Sequence, residues 1–138
     1  MLKQKSLVGQ IVSRRKVYIT DDLLKRITNT IDGWHHLDQK ESVSSFFLGS
    51  FGEHQKAYER LNIKPNRQLH SRESLFICEP VKPGDVIDVE TFLQDLYEQN
   101  GSSIPLGFVV TDVWGKREDS IIFHNQRIVA VRGGFERR

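Results

Sequence analysis

Apolar and polar positions divide the chain into two unlike halves. Val8 to Ile19 (VGQIVSRRKVYI) carries apolar residues at both ends of a basic centre and predicts a strand. Thr20-Asp21-Asp22 follows as a helix start: the threonine can cap, and the aspartates complement the positive helix terminus. Leu23, Leu24, Ile27 and Ile31 recur at helical spacing, which predicts a helix from about 21 to 31, stopped by Gly33. Trp34 to Ser42 is polar and reads as an irregular loop, and Ser45 to Phe51 is a small apolar cluster of either type. Glu53 to Leu61 predicts a short helix with Ala57 and Leu61 on one side, ended by Asn62 to Asn66.

The second half alternates differently. Leu69–Cys78, Asp85–Tyr97, Ile104–Trp114 and Ser120–Val131 are four extended runs separated by turn signals. Pro80, Pro83 and Gly84 fix a turn after Cys78, Asn100-Gly101 a second, and Trp114 to Asp119 the last connection. Ile87, Val89, Thr91 and Leu93 alternate with their neighbours, as do Ile104, Leu106, Phe108 and Val110. The order is one strand, helical elements, then an antiparallel meander, so the fold class is α+β. A meander of long strands needs an apolar cover on one face, and the helix at 21–31 is the expected one.

Composition then removes several function classes. At 138 residues the chain fits one domain, with a core over about 7–132 and a flexible tail at 133–138. Its 20 basic and 18 acidic residues give a net charge of +2, too small a field for nucleic-acid binding. No apolar run approaches the roughly 18 residues that span a bilayer. MLKQKSLVGQ lacks the apolar centre of a signal peptide, so the expectation is a cytoplasmic protein without membrane contact. Cys78 is the single cysteine and excludes an internal disulfide.

Three groups of residues now carry a resemblance. They are Leu7-Val8-Gly9, then Tyr18-Ile19-Thr20, then Leu69-His70-Ser71-Arg72-Glu73-Ser74-Leu75-Phe76 with Pro80 and Pro83-Gly84-Asp85. In that order, over about residues 7 to 132, the chain resembles the MaoC-like dehydratases, most closely the FAS1-like dehydratase N-terminal domain. The resemblance implies a single hotdog domain, a central helix packed on a curved antiparallel sheet. It also implies a 3-hydroxyacyl or 2-enoyl thioester of coenzyme A or acyl carrier protein as partner. No cofactor is expected, and no metal, since the spacing of His35 and His36 with Asp32 and Asp38 matches no recognised ligand pattern.

Removing water from a 3-hydroxyacyl thioester needs a base for the α-proton, an acid for the departing hydroxyl, and a donor for the thioester oxygen. In the active members the acid–base work falls to an Asp and a His in Gly-Asp-x-Asn-Pro-x-His. Here the corresponding residues are Ile31-Asp32-Gly33-Trp34-His35-His36-Leu37. Asp32 matches the aspartate. Ile31 replaces the glycine, Trp34-His35 the Asn-Pro pair, and Leu37 the histidine, with His36 one residue early. The implied catalytic candidates are Asp32, His36 and His35; Gly33, His70 and Arg72 are the implied substrate-binding residues. The broken motif favours a substrate-binding half over a self-sufficient enzyme, with a non-enzymatic thioester-binding module or a thioesterase as further alternatives. The passage between Asp32 and Ser42–Phe47 is also short for the family.

Other residues read more plainly. His54 and His124 are expected at the surface of a helix and a strand, and Cys78 is expected as a small buried hydrophobe. Arg14-Arg15-Lys16 reads as a solvated face, with coenzyme A phosphates as the alternative. A meander with one layer of helices leaves an edge strand open. The resemblance therefore implies a dimer, either of like chains or with a separate catalytic hotdog subunit.

Overall fold

A computed structural model describes residues 3–30, 47–99 and 103–135. Five strands form one antiparallel sheet: β1 (Ile11–Tyr18), β2 (Gln68–Ile77), β3 (Val86–Gln99), β4 (Leu106–Arg117) and β5 (Ser120–Arg132). Their order across the sheet is β1-β3-β4-β5-β2, so β1 and β2 are the edges. Among the described residues, two α-helices lie between β1 and β2 in the chain: α1 (Asp21–Thr30) and α2 (His54–Arg60). The architecture is the expected α+β one, with a curved sheet that does not close on itself. The Trp34–Ser42 loop and the Asn100-Gly101 turn fall outside the described residues.

Local chemistry explains the elements. The Thr20 hydroxyl accepts the Leu23 amide at 3.1 Å and caps α1 as expected. Pairing is interrupted near Val12 in β1, Ser71 in β2 and Gln94 in β3. Such bulges bend a strand and flip the side-chain alternation. In β3 the flip keeps both Leu93 and Leu96 buried. β4 runs on to Arg117, beyond the end expected at Trp114, and turns tightly at Glu118-Asp119. Gly115 permits this, because the Phe123 ring lies where any β-carbon at 115 would stand.

The helix that covers the centre of the sheet is α2, a correction to the expectation for 21–31. Ala57, Tyr58 and Leu61 of α2 pack with Leu93, Leu96, Val109, Val129 and Val131. Small Ala57 lets the helix backbone approach the strands. α1 contributes Leu23 and Leu24 to a second cluster built around Ile19, Leu48, Ile87, Val113 and Phe123. Where a flexible tail was expected from residue 133, the last described residues are docked. Phe135 is buried in the first cluster, its ring lying over Gly107, and its amide donates to Glu98 Oε2 at 3.0 Å.

The segment after β2 is also fixed. Arg117 donates to Asp85 Oδ2 at 2.8 Å and to Glu79 Oε2 at 2.6 Å. The Lys82 amide donates to the same Asp85 oxygen at 2.9 Å, so one carboxylate closes the Pro83-Gly84 turn and anchors it to β4. Cys78 is exposed rather than buried. It lies just past the end of an edge strand, and its amide donates to the Ile122 carbonyl while its side chain meets no core.

Candidate functional site

The two core clusters are separated by polar residues on the helix-facing side of the sheet. Ser13 and Thr91 pair across β1 and β3, and Thr111 of β4 and Asn125 of β5 lie further along. All four are buried. Buried polar groups must be hydrogen-bonded, and Glu53, just before α2, and His54, its first residue, do this. Ser13 Oγ donates to Glu53 Oε1 at 2.5 Å, and the Glu53 amide donates to Thr91 Oγ1 at 3.1 Å. The Ser13 hydroxyl holds the Glu53 carboxyl below its usual range, against the opposing effect of burial.

His54 completes the seam. Its Nδ1 lies 2.6 Å from Thr111 Oγ1 and its Nε2 lies 3.0 Å from Asn125 Oδ1. Asn125 Nδ2 donates to Glu73 Oε1 at 3.2 Å and to the Ser74 carbonyl at 3.0 Å, which fixes the amide orientation. Oδ1 must therefore accept, so Nε2 carries the proton and Nδ1 accepts from the Thr111 hydroxyl. Burial is the main reason the imidazole is neutral: its pKa falls from 6.5 to about 4, with the Arg127 charge acting in the same direction. Gly52 leaves room for the ring, since a β-carbon there would lie 3.0 Å from His54 Nε2.

The chain of contacts continues to the surface. Arg127 donates to Glu73 Oε1 through Nε at 3.2 Å and Nη2 at 2.8 Å. Burial pushes the Glu73 carboxyl up, but Arg127 and Asn125 outweigh it and the net shift is downward. His70 Nε2 stands 3.5 Å from Glu73 Oε2 at the open edge of the sheet. Thr111, His54 and Asn125 are thus connected as a nucleophile, a base and its orienting group. Thr111 and Asn125 are both 0% exposed, however, so no substrate carbonyl reaches the hydroxyl. The arrangement seats α2 on the sheet and ties edge strand β2 to it.

Of the implied site residues, Asp32, Gly33, His35 and His36 lie outside the described residues. His70 and Arg72 are both exposed on β2, on either side of the Ser71 irregularity. His70 faces Glu73, while Arg72 is on the opposite side of the sheet, paired in register with Ile128. The structure therefore does not bring these two together. His54 is buried, a correction to the expected surface position: it starts α2 directly over Thr111 and Asn125. His124 is partly buried, stacked on Trp114 at 4.0 Å between ring centroids and 3.2 Å from Asp112.

The basic run is spent on local partners. Arg14 pairs with Glu90 and Lys16 with Asp88, both at 2.9 Å, and Arg15 donates to the Phe51 carbonyl at 3.0 Å. These contacts fit a solvated face and not a phosphate cradle. Among the described residues no three His, Cys, Asp or Glu side chains are grouped to hold a metal. No helix among them is long and apolar enough to cross a membrane.

No family model matches the chain, and no curated protein matches its sequence. Solved structures do match. The ChsH1-ChsH2 complex from Mycobacterium tuberculosis superposes with a TM-score of 0.69 at 7% identity, over 96% of this chain and 89% of that one. This chain has the hotdog fold. The same fold is shared with the C-terminally truncated HadBC (3R)-hydroxyacyl-ACP dehydratase complex of the same organism. There the TM-score is 0.61 at 10% identity, over 90% and 96% of the two chains. A MaoC-like dehydratase from Rhodospirillum rubrum gives 0.58 at 14% identity, over 100% and 99%. At such identities the likeness is one of fold, and this hotdog chain's own residues must carry the chemistry.

Proposed function

We propose that this chain is a hotdog subunit of a hydratase or dehydratase system acting on acyl thioesters of coenzyme A or acyl carrier protein. In this reading it is a cytoplasmic, substrate-binding half that works beside a catalytic hotdog subunit. The carrying observation is the sequence at 31–37, where Asp32 persists without the Asn-Pro pair and with leucine at the histidine position. Proton transfer requires both groups within hydrogen-bond reach of the reacting atoms, and one retained aspartate supplies half of that.

Two further observations support the reading. Among the described residues no strand pairs with the outer side of edge strand β2, and exposed Leu69, Phe76 and Ile77 lie along it, as they would on a strand that pairs with a neighbour. Two of the proteins that share the fold, ChsH1-ChsH2 and HadBC, are two-component complexes. The buried seam under α2 then keeps β2 in place for such a partner.

The test is reconstitution. The chain is co-expressed with a hotdog subunit carrying an intact Gly-Asp-x-Asn-Pro-x-His, and the purified complex is given crotonyl-coenzyme A. The reading expects hydration by the complex that survives Asp32→Ala in this chain and is lost when the partner's aspartate is replaced. Loss of activity on Asp32→Ala here, with the partner's aspartate dispensable, contradicts it.

A further inference from the structure

The cations of this chain are not all neutralised alike. Lys5, Arg14, Lys16, Arg117 and Arg127 each stand within 3.0 Å of a carboxylate oxygen. Arg60, the last residue of α2, together with Lys64, Arg67 and Arg132, forms no ion pair among the described residues. Arg60, Lys64 and Arg132 are exposed, and Arg67 is partly so. These four share one end of the molecule. Lys64 and Arg67 flank the short turn between α2 and β2, and Arg67 reaches across to the end of β5. Its Nε donates to the Arg132 carbonyl at 2.9 Å and its Nη2 to the Gly134 carbonyl at 2.5 Å. Carbonyls hold the guanidinium without cancelling its charge. Glu59 on α2 and Glu98, which accepts the Phe135 amide, lie at the same end, and the four cations outnumber them. In a chain of net charge +2 this is a local concentration of positive charge.

This end is not built to seat a phosphate. Phosphate seats use free backbone N–H groups at a helix N-terminus. Here the helix presents its C-terminus, the negative end of its dipole. The amides of Leu61, Asn62, Ile63, Arg67, Gly133 and Gly134 all donate to backbone carbonyls. What remains is a set of long side chains from a helix, a turn and a strand, spaced over the surface. Spaced cations of this kind complement spaced carboxylates on another protein.

We propose that this basic end docks an acidic protein, and that the protein is an acyl carrier whose surface presents carboxylates. This rests on the reading of the chain as a subunit for acyl thioesters, and it selects the protein carrier over coenzyme A.

The experiment measures binding of an acyl carrier protein bearing a crotonyl group to the native chain and to two charge-reversed variants. Crotonyl-coenzyme A and duplex DNA are the comparison ligands. Arg60→Glu with Lys64→Glu alters the basic end. Lys82→Glu with Lys116→Glu makes the same change in net charge at exposed positions toward the opposite end of β4 from Arg132. The first pair is expected to weaken carrier binding at least about tenfold and the second less than about twofold, with molar salt abolishing the difference. Crotonyl-coenzyme A is expected to bind the first pair as it binds the native chain. Equal weakening by both pairs overturns the proposal, as does a carrier protein that does not bind. So does a loss of crotonyl-coenzyme A binding as large as that of the carrier, which makes the end a phosphate site. Duplex DNA bound more tightly than the carrier, and released by the first pair, overturns it as well. Turnover enters none of these readouts, and the reconstitution assay uses crotonyl-coenzyme A, so the two can fail separately.

Discussion

Replacing His54 by alanine removes both of its hydrogen bonds and leaves a buried Thr111 hydroxyl and Asn125 carbonyl oxygen without their partner. Stranding buried polar atoms while opening a cavity costs about 2–4 kcal/mol, readable as a lowered urea midpoint. The same residue sets a pH dependence. In the unfolded chain it titrates near its ordinary 6.5, and in the folded protein near about 4. Above about 6.5 both states are neutral and the stability is whole. As pH falls toward 4 the unfolded state takes up a proton that the folded state refuses, and stability declines by on the order of 3 kcal/mol. Glu73, with its carboxyl held low, adds a loss of the same sign at lower pH. His54→Gln should therefore flatten the urea midpoint between pH 6.5 and 4.5 while leaving the decline below that range. An equally steep native and variant profile sinks the assignment. Little of this was legible from the histidine, which sits in a polar helix, EHQKAYERL. The signal lay on the other side of the contact. Thr91, Thr111 and Asn125 are polar residues in runs otherwise suited to a core, and Gly52 precedes the helix at the point of closest approach.

At the scale of elements, the Pro/Gly turn after β2 shows how a sequence signal becomes an anchored structure. Pro83-Gly84 marks the turn, but Asp85 fixes its geometry, taking the Lys82 amide and the Arg117 guanidinium on one oxygen. The turn in turn meets β1: the Ile19 amide donates to the Asp85 carbonyl and the Gly84 amide to the Ile19 carbonyl. Asp85→Ala should cost about 1–2 kcal/mol, discounted because Arg117 is partly exposed, and should speed hydrogen exchange at the Ile19 and Gly84 amides. Unchanged exchange there would mean the turn holds without its carboxylate. Strand existence was readable throughout, because alternation and turn residues are local. Which face points inward was readable in β3 and not in β4. Leu106, Phe108 and Val110 alternate convincingly, yet Val109, Thr111 and Val113 face the core. Both faces of β4 are apolar, so the period alone does not choose between them.

For the whole molecule, the order of elements carried the fold, since a strand, helices and an antiparallel meander leave few ways to bury one sheet face. The covering helix differs from the expected one for a physical reason. α1 has the better capping signals, but α2, only His54–Arg60, has the small residue and the polar pair that fit the middle of the sheet. Helix propensity says where a helix forms and not where it docks. The docking of Phe135 was equally hidden, because it depends on Gly107, twenty-eight positions upstream, leaving space for the ring. On the proposed reading, this hotdog chain lacks a working acid–base pair of its own. The direct measurement is loss of enoyl absorbance when the purified chain, alone, is given crotonyl-coenzyme A. No hydration above the uncatalysed rate is expected, for the native chain and for Asp32→Ala alike. Steady turnover by the native chain that Asp32→Ala abolishes would contradict it.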